Sequence, residues 1–371
     1  MLRASLVVAF ALFGTASAQT TTSGEGTPIV PVATEEDYAR AVTKVVHDTI
    51  VPAYERLDVT SAALARTTQS YCTDSDIPSR LTVEAAFAST VNAWAAVDFL
   101  RFGPMAEDGR YERFAFFPDV HGTGARQLRR FLASEDQALL EPGALAAQSA
   151  AVQGLPALES LFYSGAKALL KAETPEPFRC ALAAAIAENL YAIAGEALAG
   201  WKAGDGWAIL IDNPGPDNPV YRTHAEAMTE IVKAIITGLE QDREHRLLPV
   251  LGETPGDGKA SHAPFNASGL ALRYLIASAE ALELFAQSSG LLAMLPENQK
   301  SYADSALFEF SNLKKALHDS GWDLEAALAD PQLRSRLSYA TIVLASLRDI
   351  FQRHIAVAAG LTPGFNSLDG D

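Results

Sequence analysis

The chain is nearly devoid of cysteine: Cys72 and Cys180 are its only two. A structural zinc site built on four thiolates is therefore excluded. Histidine is sparse as well, with seven in 371 residues and no two of them three or four positions apart. Glycine-rich phosphate and dinucleotide loops are missing, as are H-E-x-x-H and the G-x-S-x-G nucleophile elbow, which removes the commonest enzyme signatures. Positive charge is in deficit, 29 Lys and Arg against 45 Asp and Glu, for a formal net charge of −16. Nucleic acid and anionic membranes would repel such a surface, so neither is an expected partner. Cationic ligands or metal ions remain compatible with it, although a merely solvated acidic surface has the same composition. After the N-terminus no apolar run reaches the roughly 20 residues that a bilayer span needs, so no membrane span is expected. Alternating β-branched runs bounded by turns are scarce too, which argues against sheets.

What is present begins with a signal-peptide pattern over residues 1–18: Arg3, an apolar stretch at 6–13, and Ala16-Ser17-Ala18 before Gln19. No cysteine follows the cleavage site, so a lipid anchor has no acceptor, and the expected location is the periplasm. Residues 19–33 are rich in Thr, Ser, Gly and Pro and read as a flexible leader. In an oxidising compartment Cys72 and Cys180 could form one disulfide closing a long loop; two free buried thiols are the alternative.

The remaining periodicity is helical. Residues 37–68 read as a long helix with Thr34 as N-cap and Asp37 completing a variant capping box. Pro52 should kink or divide it. Over 81–102, Val83, Phe87, Val91, Trp94 and Val97 recur every three or four residues, the stripe that a bundle helix buries. Further helices are expected near 123–132, 145–163 and 177–201. Prolines and glycines over 204–219 break the pattern. Four helical segments follow, 221–247, 268–287, 299–319 and 331–358, with a long Gly/Pro-rich connection at 248–266 that contains His262. The expected fold is all-α: two packed antiparallel helical bundles, 34–205 and 206–371, possible products of an old duplication with no clear residue-level repeat.

Candidate chemistry is thin. Asp242 and His245 form the one carboxylate–histidine pair at helical spacing, a pattern also common on exposed helices. Pro156 suits a first helical turn, which sets Glu159 beside Val152 and Leu155 at the edge of an apolar face. A carboxylate there either reaches solvent or is held by a partner, and if desolvated its pKa should rise.

The segment Gly154-Leu155-Pro156-Ala157-Leu158-Glu159 resembles the G-x-H-x-x-E motif of imelysin-like proteins, with proline in place of histidine. The G-L-P-A-L-E form is similar to a branch of that family made of periplasmic proteins. Arg101-Phe102-Gly103-Pro104, Phe117-Pro118-Asp119, Ala151-Val152-Gln153 and the terminal Gly364-Phe365-Asn366-Ser367-Leu368-Asp369-Gly370-Asp371 agree with it, so the likeness runs from about Trp94 to the last residue. The resemblance implies two packed helical bundles, the motif facing a cleft between them, a link to iron acquisition and an old assignment as a metallopeptidase (peptidase M75). It points to Trp94, Asp98, Arg101, Asp119, Gly154, Pro156 and Glu159 as cleft residues, with a tail of Asn366, Asp369 and Asp371 returning to the interface. Arg101 would pair with Glu159 or with an anionic ligand; a plain structural salt bridge is the other possibility.

Pro156 offers no ligand atom, so the motif's metal histidine is absent, and Glu159 with His121 from a neighbouring loop is the remaining candidate for iron or another divalent ion. Three functions follow as expectations. The first is a binding or accessory protein whose partner is iron, an iron chelate or an envelope iron-uptake protein. The second is a divergent metal-dependent hydrolase, and the third a helical scaffold.

Overall fold

Thr34 opens the first helix as the sequence predicts: its hydroxyl accepts from the Asp37 N–H at 3.3 Å, and the Asp37 carboxylate accepts from the Thr34 N–H at 2.8 Å. The computed structural model describes residues 33–73, 77–254, 256–362 and 364. The signal peptide, nearly all of the leader and the tail residues Asn366, Asp369 and Asp371 lie outside the described residues. Among the described residues there is no strand, and the fold is all-α.

The first half contains α1 (Glu35–Val45), α2 (Val51–Thr73), α3 (Ile77–Ala95), α4 (Arg110–Phe114), α5 (Thr123–Ser134), α6 (Leu155–Tyr163) and α7 (Pro177–Lys202), and α8 (Trp207–Asp212) begins the second. The second contains α9 (His224–Glu240), α10 (Leu248–Leu251), α11 (Ala271–Ser288), α12 (Ser301–His318), α13 (Leu324–Ala329), α14 (Pro331–Asp349) and α15 (Ala356–Ala358). Helix α2 packs on α3 and α7, and α12 on α11 and α14. A disulfide joins Cys72 at the end of α2 to Cys180 in the first turns of α7, with their Cα atoms 5.6 Å apart.

Several expectations need physical adjustment. Over 145–163 the helix is regular only from Leu155, preceded by two short 3₁₀ turns. The break at 204–219 still admits α8, whose Ile211 is buried. By length and apolarity alone Pro177–Asp212 would pass for a bilayer span. It is a core helix: Leu182, Ile186, Leu190, Ile193 and Trp201 are all fully buried.

Pro52 does not end its helix. A π-helical turn at Val46–Ile50 precedes it, and the chain continues straight into α2. A second π-helical segment, Gln241–Leu247, precedes Pro249 in the same way. A proline lacks an N–H and its ring crowds the carbonyl four residues back, here Asp48 or His245. Widening the preceding turn relieves that clash without breaking the helix.

Both halves feed one continuous hydrophobic core. Helix α1 packs on α9, α3 packs on α11, and the Tyr38 hydroxyl donates to the carbonyl of Ala359 near the far end of the chain. The division at 205/206 is kept as a proposal about chain organisation.

Candidate ligand-binding cleft

Helix α3 loses its regular turn at Ala95, and the chain turns through Asp98 and Arg101 to reach α4. That turn faces the π-helical segment 241–247 and the start of α11. Between these elements lies a cavity of about 350 Å³, at the small end of ligand-pocket volumes of roughly 300–1,000 Å³. Trp94, Arg101, Tyr111 and Pro156 line it from the first half, and Gln241, Arg246 and Tyr274 from the second.

The wall is rigid because its members hold one another. Trp94, 1% exposed, stacks on Phe114 at 4.7 Å and tilts against Tyr111 at 5.1 Å. The Arg101 guanidinium lies 3.4 Å from the Tyr111 ring centre, a cation–π contact. The Gln241 amide is oriented by its neighbours: with Oε1 towards Arg101 it accepts from Arg101 Nε and from the Tyr111 hydroxyl, each at 3.2 Å. Among the described residues no carboxylate stands within the 4.0 Å of a salt bridge to Arg101.

Arg246 is the opposite case. Its Nη2 meets Asp98 Oδ2 at 2.5 Å and its Nη1 meets Asp242 Oδ1 at 2.5 Å, with all three side chains buried. The Tyr274 hydroxyl donates to Asp98 as well. Burial pushes the Asp242 carboxyl up to about 6, with Asp98 adding to the rise and Arg246 opposing it. The same burial and the neighbouring Asp98 raise the Tyr274 phenol, against the pull of Arg246. Asp98 thus backs the wall rather than facing the cavity.

Pro156 sits in the first turn of α6, as expected, and presents its ring to the cavity. Gly154 is needed for packing: a Cβ there would stand 2.3 Å from the Phe114 carbonyl oxygen. Glu159, one turn further on, is buried, and its Oε1 accepts from the Ser268 N–H at 2.8 Å and hydroxyl at 2.7 Å. Burial raises its pKa, with the Ser268 hydrogen bonds opposing. Among the described residues no cation pairs with it, and the expected Arg101–Glu159 pair does not form: Arg101 turns to Tyr111 and Gln241.

Two expected residues stand elsewhere. The Asp119 carboxylate accepts from the Thr123 and Gly124 N–H groups at 2.7 and 2.8 Å, capping α5. His121 is exposed, and its carbonyl accepts from Arg126. A metal on Glu159 and His121 does not fit these residues: the Glu159 Oε1 bonded to Ser268 is in a buried carboxylate and His121 is in solvent. Among the described residues no group of three His, Cys, Asp or Glu side chains is placed to hold a metal. His262 is tied by Nδ1 to the Pro249 carbonyl at 3.0 Å.

Arg246 escapes a reading by helical period because the π-helical turn shifts the register, while Gln241 and Tyr274 meet the cavity through contacts far apart in sequence. Asp242 and His245 accordingly part company: Asp242 turns inward to Arg246, while His245 joins the cavity wall. The signal available in the sequence was Pro249, just beyond an otherwise unbroken helical pattern.

The imelysin family model, peptidase M75, matches residues 50–350. Among solved structures, the chain is similar to an imelysin-like protein from Psychrobacter arcticum 273-4, with a TM-score of 0.76, at 18% identity over 91% of this chain and 100% of that one. It is also similar to a protein described as an iron-regulated protein A precursor, from Parabacteroides distasonis ATCC 8503. There the TM-score is 0.69 at 12% identity, over 86% of this chain and 95% of that one. At these identities the structural likeness bears on fold alone. No curated protein matches the chain.

Proposed function

The chain belongs to the imelysin family, and from that premise we propose that it is a periplasmic binding protein of iron acquisition, holding its ligand in the cleft between the two halves. The observation that carries this reading is the walled cavity itself. Side chains from both halves form it, its aromatic members are locked by stacking, and it opens beside the first turn of α6, where the motif stands. The iron link is supported by the description of the Parabacteroides distasonis neighbour as iron-regulated. A binding protein needs a preformed polar and aromatic cleft and no covalent chemistry. A zinc hydrolase would need three converging protein ligands, and Pro156 supplies none.

Metal analysis of the purified protein, followed by calorimetric titration with ferrous ion, zinc and ferric citrate, tests the proposal. Saturable one-to-one binding of an iron species, with a change in Trp94 fluorescence, is expected. Stoichiometric tightly held zinc together with peptide hydrolysis would overturn it, as would no binding of any iron species.

A further inference from the structure

Resting on that binding reading, we infer that the cleft takes its ligand as an anion, a carboxylate-bearing chelate rather than a bare metal cation. The charges around the cavity decide this. Asp98 and Asp242 are both committed to Arg246 behind the wall. Glu159 is turned to Ser268. Glu112 reaches the cavity as an exposed residue, where solvent screens it.

Arg101 remains. It is half-buried, carries no carboxylate partner among the described residues, and is pre-oriented by the Tyr111 ring and the Gln241 amide. Two of its five N–H donors meet Gln241 Oε1, through Nε and Nη2. The others meet no acceptor among the described residues. A fixed guanidinium fork in a partly desolvated, aromatic-walled cavity is complementary to a carboxylate, which it can bind through two parallel hydrogen bonds. It would repel a free cation at the same place. His245 on the wall adds a further donor. Phe116 and Phe117 on the wall, less deeply buried than Trp94 and Tyr111, provide an apolar contact for the body of a small chelate.

Isothermal titration of the wild-type protein, Arg101→Met and Arg101→Lys separates the possibilities. Three probes are used: ferric citrate, an anion; ferric tris-acetohydroxamate, a neutral chelate; and ferrous sulfate. Wild-type protein is expected to bind ferric citrate at least tenfold more tightly than the neutral chelate. Arg101→Met should abolish that preference, and Arg101→Lys should restore part of it, with circular dichroism confirming that both variants are folded. Equal binding of the neutral chelate or of ferrous ion, unchanged in Arg101→Met, would overturn the anion inference while leaving the cleft as a binding site. Failure of all three probes to bind wild-type protein would overturn both.

Discussion

Two buried carboxylates stitch the halves of the molecule together, and they do so by different physics. Asp98 is fully buried and reaches across to Arg246 and Tyr274, so its charge is matched by a guanidinium. Glu159 is 8% exposed and reaches across to Ser268, so its partners are one N–H and one hydroxyl. The first seam is a charged network whose members cannot be removed singly. The second tolerates neutralisation, because a protonated or amidated side chain keeps the Ser268 hydrogen bonds. The cavity lies along the first seam, where Arg246 is matched by Asp98 and Asp242 and Arg101 has no carboxylate partner among the described residues.

The largest effect expected from breaking this contrast comes from Arg246→Met. It strands Asp98 and Asp242 in the core and should cost about 3–5 kcal/mol in urea unfolding. A loss below about 1 kcal/mol would mean the network is not charged.

Next comes the pH dependence of the same seam. Burial holds the Asp242 carboxyl at about 6 against an ordinary 3.8. The folded state therefore binds a proton that the unfolded chain has already released. The stabilisation is fully present below the ordinary value and is lost as pH rises through about 6. Relative to Asp242→Asn, wild-type stability should fall between pH 4 and 7 by on the order of 1–3 kcal/mol, as followed by thermal melts across that range. A flat difference would contradict the assignment.

On the second seam, Ser268→Ala should cost about 1–3 kcal/mol at pH 8, because it removes the hydroxyl from a buried carboxylate. The loss should shrink as the pH is lowered, because burial makes Glu159 take up a proton earlier than an ordinary glutamate. The smallest effect is expected for Glu159→Gln, within about 1 kcal/mol and stabilising rather than destabilising at pH 8, since it relieves the desolvation of a charge. Destabilisation of several kcal/mol by Glu159→Gln would show that the carboxylate has a cationic partner after all.

Much of the fold was legible because bundle helices repeat locally. The Thr34 capping box, the stripe from Val83 to Val97 and the first-turn placement of Pro156 all follow from neighbours within four residues. The site was less legible because its bonds are long-range. Glu159 was readable as a carboxylate at an apolar edge, but Ser268, which holds it, stands 109 residues away. Asp119 was placed in the cleft by the resemblance alone, whereas its carboxylate is used locally to cap α5. Arg246 was hidden by the π-helical turn, since a period of 3.6 misassigns the face of residues beyond the added one.

Hydrogen–deuterium exchange with and without ferric citrate tests the central claim, that one cleft shared by the two halves binds the ligand. Simultaneous protection of peptides covering Trp94–Phe114 and Gln241–Tyr274 is expected, with the rest of the chain unchanged. Protection confined to one half, or falling outside both of these segments, would contradict it.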